Sequence, residues 1–304
     1  MIRHLLTGEE FCLPEFEKLM ELSKKIKAER GMACAMKPLA GKSIGTIFAK
    51  SSTRTRVSFE VGIHELGGQP VYLDQGKTQM GRGETIPDTA RVLSRYLAGI
   101  VIRTFAQSDV EGLAQYASCP VINALTDDYH PCQALTDLFT ILEKKGKFEG
   151  VKMAYLGDGA SNMANSLMMA SSCAGIHFEI AAPEEYRPSE AIMQKKLGGN
   201  GTVSWTTDPV EAMKDADFVY TDVWVSMGFE AESANRMKIL EPYRLTMDLL
   251  KKGKPGCMVM HCLPAHRGEE ITDEVMESPN SIVFDEAENR LHVQKAIMAT
   301  LIQG

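Results

Sequence analysis

Residues 43–56 read SIGTIFAKSSTRTR. Ser43 to Ala49 is a short apolar run of β-compatible residues, so the polar stretch Ser51 to Arg56 falls where a strand hands over to its next element. Ser51, Ser52 and Thr53 supply hydroxyls and Arg54 and Arg56 supply guanidinium groups within that stretch. If Ser52 or Thr53 caps a helix, the free backbone N–H groups and the positive end of the helix dipole point at the same spot, which suits an anion. The planar fork of Arg54 matches a phosphate in bidentate fashion. Beyond the stretch, Val57, Phe59, Val61 and Ile63 alternate as in a strand. A capped surface helix with solvated arginines therefore stands beside the anion-site reading.

Outward from this point the chain alternates. Leu13–Arg30 has apolar residues at helical spacing and reads as a leading amphipathic helix. Strands are expected at Ser43–Ala49, Pro70–Leu73, Gly99–Ile102 and Pro120–Ala124, with helices at Ile86–Leu97 and Val110–Ala117. A long helix, His130–Lys145, precedes a second alternating series. Its expected strands are Lys152–Leu156, His177–Ala182, Thr202–Thr206, Phe218–Thr221 and Cys257–Cys262. Its expected helices are Asn162–Cys173, Glu190–Leu197, Pro209–Lys214 and Tyr243–Lys252, followed by a last one at Glu286–Ile302. Such β-α-β rhythm implies parallel sheets.

The totals limit the function classes. A chain of 304 residues, 44% hydrophobic, suits two domains with their own cores. A formal net charge of −7 without a basic stripe opposes a general nucleic-acid role. No apolar run is long enough to cross a bilayer, and the opening residues lack a secretory pattern, so a cytoplasmic protein is expected. The seven cysteines are scattered without a CxxC pair, which speaks against a disulfide framework or structural zinc.

Several polar groups fall at ends of strands or starts of helices. Arg103 follows the run Ile100–Ile102, at the edge where ligands of open α/β sheets bind. His130 and Gln133 open the linking helix, where capping is the plain alternative to ligand contact, and Cys132 between them reads as a small buried residue. Gly157-Asp158-Gly159 superficially resembles a dinucleotide turn but lacks its third glycine, while Asn162 behind it suits a carboxylate. Asp222 ends a strand and precedes Ser226-Met227-Gly228, a potential lid. His261-Cys262-Leu263-Pro264 closes another strand, where the thiol is either reactive or buried and inert. Gln79 sits in a Gly-flanked loop, and Arg290 lies in the terminal helix.

Together SSTRTR, HPCQ at 130–133, Asp222 with SMG at 226–228, and HCLP at 261–264 resemble the ornithine branch of the carbamoyltransferase family, over essentially the whole chain. STRTR and HPCQ resemble motifs shared by the family at large; HCLP and DxxxSMG resemble those of the ornithine branch. One departure is Ala160-Ser161, where many relatives are more polar. The fold that the resemblance implies is α/β, with two doubly wound parallel-sheet domains of similar size and the active site in the cleft between them. Residues 1–140, joined by the C-terminal helix at about 286–304, would bind carbamoyl phosphate, and 141–285 would bind ornithine.

Residue by residue, the resemblance implies that Ser52, Thr53, Arg54 and Thr55 hold the phosphate, with Gln79 reaching it from a neighbouring subunit of a homotrimer. Arg103, His130 and Gln133 would contact carbamoyl and phosphate oxygens, with Arg290 and the Cys262–Leu263 backbone completing the pocket. Asn162, Asp222, Ser226 and Met227 would bind ornithine, with Cys262 near its side-chain amine. Arg54, Arg103, His130, Asp222 and Cys262 would carry the catalysis. The implied reaction makes L-citrulline and phosphate in arginine metabolism, needs no metal or organic cofactor, and has no nucleic-acid or membrane partner. Rival readings are transfer to another amine such as putrescine, a nicotinamide-dependent dehydrogenase suggested by the 157–159 turn, and a non-catalytic phosphate sensor.

Overall fold

The computed structural model describes residues 3–12, 14–74, 76, 78, 83–225 and 233–302. It divides into two compact units of similar size, 1–139 with 289–304 and 140–288. The chain changes unit inside two helices, α5 (Pro131–Lys145) and α12 (Val283–Leu301).

In the first unit, α1 (Glu15–Ala28) leads into β1 (Ser43–Phe48), α2 (Thr53–Glu65), β2 (Gln69–Asp74), α3 (Ile86–Leu93), β3 (Gly99–Arg103), α4 (Gln107–Tyr116) and β4 (Val121–Leu125). The strands pair in parallel in the order β2-β1-β3-β4. β1, β3 and β4 bury nearly every residue, as strands covered on both faces must, whereas β2 lies half-exposed at an edge. Chain order runs from β1 outward to β2, then restarts on the other side at β3. The sheet's switch point therefore lies between β1 and β3, and there the carboxyl-end loops diverge and leave a crevice.

The second unit repeats the plan. β5 (Lys152–Leu156), α6 (Asn162–Ala174), β6 (His177–Ala181), α7 (Glu190–Met193), β7 (Thr202–Thr206), α8 (Pro209–Met213), β8 (Phe218–Thr221), α9 (Ser233–Leu240), α10 (Met247–Leu250), β9 (Met258–Met260) and α11 (Asp273–Met276) follow one another. The parallel order is β7-β6-β5-β8-β9, so its switch point lies between β5 and β8. Its core gathers Leu156, Val219, Trp224, Leu240, Val259 and Ile271.

The expected strands are present within a residue or two at most ends. Three expected helices fall four residues short at one end, among them α3, which stops at Leu93 and not at Leu97. α7 stops at Met193 because the Ser172 hydroxyl donates to the Lys195 carbonyl (3.0 Å) and accepts from Leu197 N–H (3.4 Å), diverting the backbone. The helix expected from Tyr243 begins only at Met247, where the Thr246 hydroxyl caps it by accepting from Leu249 N–H. Helices α9 and α11 lie where the sequence pattern predicts none.

The alternation after SSTRTR resolves into a helix with two apolar stripes. Phe59 and Ile63, four apart, are buried, while Val57 and Val61, also four apart, stay 51% and 36% exposed. Interleaving the two stripes mimics a period of two. Among the described residues, no helix is long and apolar enough to cross a membrane.

Candidate active site

The first unit gathers its polar groups around one hydroxyl. Ser52 is the N-cap of α2, in extended conformation, yet its side chain closes no cap hydrogen bond, and the first turn carries no acidic residue. The helix start therefore keeps its positive end uncompensated by side chains. Thr53 and Arg54 are exposed, Ser52 is half-buried, and Thr55 turns inward, 1% exposed. The Thr55 hydroxyl accepts from Arg290 Nη2 at 2.7 Å and from Arg103 Nη1 at 3.4 Å. Three segments, the start of α2, the end of β3 and the α12 helix, thus place two guanidinium groups on one atom. Arg56, by contrast, faces elsewhere: its Nε donates to Glu60 at 2.8 Å and its guanidinium lies 3.5 Å from the Tyr72 ring centroid.

His130 lies beside this pair of cations. Burial holds its imidazole well below the usual histidine range, and the Arg290 and Arg103 charges push in the same direction. At neutral pH the ring is therefore uncharged and offers one N–H as a donor. His130 also immediately precedes α5, its carbonyl accepting from Gln133 and Ala134 N–H. Gln133 is fully buried and its amide donates to Asp137 at 2.7 Å. Cys132 is buried, its thiol pushed up to about 12 by that burial, and donates to the Asn123 carbonyl, as expected of an inert core residue.

The second unit gathers acids and a thiol instead. Asp222 leaves β8 with 8% exposure, and its Oδ1 accepts from Val223 N–H at 2.8 Å and from the Cys262 thiol at 3.1 Å. Burial raises the Asp222 carboxyl above its ordinary value, with Glu270 adding to the rise and His261, Cys262 and Val223 opposing it. Cys262 follows β9 in a turn whose geometry is set from beneath. Leu263 N–H donates to His261 Nδ1 at 2.9 Å, so that nitrogen is the acceptor and Nε2 carries the proton toward Glu270 at 3.0 Å. Both of those side chains are fully buried. Glu286 accepts from His261 N–H at 2.9 Å. Leu263 has φ of +57°, a conformation that its bond to His261 holds in place.

Asn162 opens α6, where Ser161 is the N-cap, accepting from Ala164 N–H at 3.1 Å and bonded to the Tyr155 hydroxyl at 3.0 Å. The turn before it is filled by the chain itself. A Cβ at Gly157 would meet the Trp224 indole at 3.4 Å, and one at Gly159 would meet the Tyr186 carbonyl at 2.8 Å. These glycines serve close packing against the unit's own side chains and backbone, which removes the ground for the dinucleotide reading. Asp158 turns to Arg236, which also donates through Nε to the Trp224 carbonyl at 2.8 Å.

Comparison with known proteins converges on one reading. Residues 3–143 match the aspartate/ornithine carbamoyltransferase carbamoyl-P binding domain, and residues 149–301 match the Asp/Orn binding domain of the same family. The chain belongs to the aspartate/ornithine carbamoyltransferase family. Within this family it is 51% identical over 306 residues to an ornithine carbamoyltransferase of Geobacter metallireducens, covering 100% of both chains. It is 50% identical to the anabolic ornithine carbamoyltransferase of Pyrococcus furiosus, covering 99% of this chain and 97% of that one. The solved structure of the ornithine carbamoyltransferase from P. furiosus superposes with a TM-score of 0.95 over 100% of this chain and 98% of that chain.

For a carbamoyltransferase-family chain, the placement of the expected residues is instructive. Ser52, Thr53, Arg54 and Thr55 follow β1 and Arg103 ends β3, so they flank the switch point of the first sheet. Asn162 follows β5 and Asp222 follows β8, flanking the switch point of the second. Thr55, Arg103 and Arg290 are brought into contact in one unit, and Asp222 and Cys262 in the other. Gln79, Ser226 and Met227 lie outside the described residues. Sequence reasoning missed His261, Glu270 and Glu286 as supports of the Cys262 turn. The signal for Glu286 and Glu270 is faint: an acidic residue on a helix or turn looks like any solvated carboxylate until its burial is known.

The ligand atoms of Asp222, His261 and Cys262 lie within 4.8 Å of one another, as do those of His266, Glu269 and Glu270. In the first group the Cys262 thiol donates to Asp222, and both ring nitrogens of His261 are engaged elsewhere, by the Leu263 N–H and by Glu270.

Proposed function

We infer that this chain is an ornithine carbamoyltransferase. It transfers the carbamoyl group of carbamoyl phosphate to the δ-amine of L-ornithine, giving L-citrulline and phosphate. The observation that carries this reading is the convergence of Arg103 and Arg290 on Thr55 beside a neutral His130, at a helix start that no side chain caps. A doubly charged phosphate matches the two forks and the helix end, and a carbonyl oxygen matches an imidazole N–H.

The amine attacks the carbamoyl carbon; a C–N bond forms, the C–O bond to phosphate breaks, and the amine proton leaves with the phosphate. Negative charge grows on the carbonyl oxygen and the leaving group. Donors that are fixed beforehand stabilise that charge more than the ground state, one such donor being worth about 3 kcal/mol. An amine of lysine type, with a pKa of about 10.4, costs on the order of 4 to 5 kcal/mol to supply neutral at pH 7. Asp222 and Cys262 are assigned to hold and orient it, with Asn162, Ser226 and Met227 on the amino-acid end. Ser52, Thr53, Arg54, Gln133 and Leu263 complete the donor site.

The same proposal assigns residues 1–140 with the C-terminal helix to carbamoyl phosphate and 141–285 to ornithine. It takes the active assembly to be a cytoplasmic homotrimer in which Gln79 reaches a neighbouring subunit's site. The anabolic direction is supported by the name of the P. furiosus relative. The test is citrulline formation with ornithine, putrescine and N-acetylornithine offered in turn with carbamoyl phosphate. Ornithine should turn over fastest; if it were the poorest of the three, the assignment would be wrong.

A further inference from the structure

Lys50 has no part in the chemistry just described, yet it is the residue immediately before the SSTRTR stretch and only 5% of it is exposed. Burying an ammonium is costly unless it is paired, so its surroundings call for an explanation. Its Nζ donates to the carboxylate of Asp127 and lies 4.4 Å from the centroid of the Phe105 ring. Asp127 belongs to the loop after β4, three residues before His130, and Phe105 to the loop after β3, two residues after Arg103.

The backbone joins the same three strand ends. Ala49 N–H donates to the Arg103 carbonyl at 2.8 Å, Thr104 N–H to Leu125 at 3.0 Å, and Asp127 N–H to Phe105 at 2.8 Å. The ammonium thus continues the sheet's crosslinking one step past its edge, where ladder hydrogen bonds stop and the ligand-facing groups begin. Behind Asp127 the loop is closed on itself, since Thr126 N–H donates to the Tyr129 carbonyl at 2.8 Å and Tyr129 N–H to the Thr126 hydroxyl at 3.1 Å. A force on Asp127 is therefore transmitted to His130 by a stiff turn, not by a slack one.

We propose that Lys50 is a positioning residue for the donor site: by holding Asp127 and Phe105, it fixes the His130 loop and the Arg103 end against the phosphate-binding start of α2. The proposal rests on the reading of that site as the one that takes carbamoyl phosphate. Lys50 acts through Asp127, not by touching the phosphate. A lysine suits this place because a flexible stem can thread between two loops and present a compact cation to a carboxylate and a ring face at once.

The test compares Lys50→Met, Lys50→Arg and Asp127→Asn with the parent. The measurements are KM for carbamoyl phosphate, KM for ornithine at saturating donor, kcat, and calorimetric binding of inorganic phosphate. Lys50→Met should raise the carbamoyl phosphate KM about tenfold, the scale of one charge-assisted bond, and leave the ornithine KM within about twofold. Asp127→Asn should move the same constants in the same direction by about three- to tenfold, and Lys50→Arg should recover most of the loss. A merely stabilising role would lower the unfolding temperature without splitting the two KM values, and that result would overturn the proposal. So would an unchanged donor KM in Asp127→Asn alongside a raised one in Lys50→Met, since Lys50 would then be acting directly on the phosphate. Asp127 is 42% exposed, so its variant remains informative even if Lys50→Met does not fold. Absence of citrulline from the parent protein would count against the carbamoyltransferase reading itself, and the phosphate affinities of parent and Asp127→Asn would still decide the role of Lys50.

Discussion

Around Thr55 in the first unit the charges are positive, the half-buried Arg103 and the buried Arg290, and the titratable histidine beside them is kept neutral. Around Cys262 in the second unit the buried charges are negative: Asp222 accepts from the thiol and Glu270 holds His261 beneath it. The two sheets share a plan, with polar residues at the switch points, so the difference in sign is not imposed by the fold. It suits the assignment proposed above, an anion for the first unit and an amino-acid cation for the second. On that proposal each unit carries the charge opposite to that of its substrate, held where water screens it little.

This contrast exposes itself to tests of unequal weight. On the cationic side, Arg103→Met should lower kcat/KM for carbamoyl phosphate about 10²- to 10³-fold, the cost of one preorganised donor, as measured by citrulline release. A loss below about threefold would mean that the guanidinium groups on Thr55 hold the structure and not the transition state.

On the acidic side, Asp222→Asn should raise the ornithine KM about 30- to 100-fold, from roughly 2 to 3 kcal/mol of lost charge pairing, with the carbamoyl phosphate KM hardly moved. Equal rises in both constants would end the division of labour. The same variant should also unfold at a higher temperature at neutral pH. Burial raises the folded carboxyl above 3.8, so ionisation above that value favours the unfolded chain, and removing the ionisable group removes that cost.

The smallest effect concerns His130. Its folded value is depressed below 6.5, so the unfolded chain binds a proton that the folded one refuses. Its contribution to stability is complete above about 6.5 and is lost as pH falls from there toward the folded value. Thermal unfolding midpoints of the parent should therefore drop as pH is lowered through that window, and His130→Gln should flatten the slope. Parallel slopes for the two proteins would show that the imidazole is not held neutral by its burial beside the two guanidinium groups.

How much of this was legible beforehand differs element by element. The run Phe218–Thr221 is a strand at the bounds its apolar residues predicted, because a strand buried on both faces leaves an uninterrupted apolar signal. Helix α2 was ambiguous because Val57 and Val61 put an exposed apolar stripe beside the buried one of Phe59 and Ile63. Helix α7 promised two turns and delivered one, since Ser172, more than twenty residues upstream, captures the chain after it. At the site, Asp222 and Cys262 stood out individually as polar groups ending apolar runs, but their bond joins residues forty positions apart. Arg290 looked like a surface arginine until α12 delivered it to Thr55 across 235 positions.

Local pattern was sufficient for the alternation of strands and helices and for the polar residues at strand ends, because both follow from the burial of neighbouring side chains along one element. Which of those ends became switch points, which cations share a hydroxyl, and which acids lie beneath the thiol turn were settled by the order in which strands join their sheets. That order depends on contacts between distant segments, whose energies no short window of residues contains.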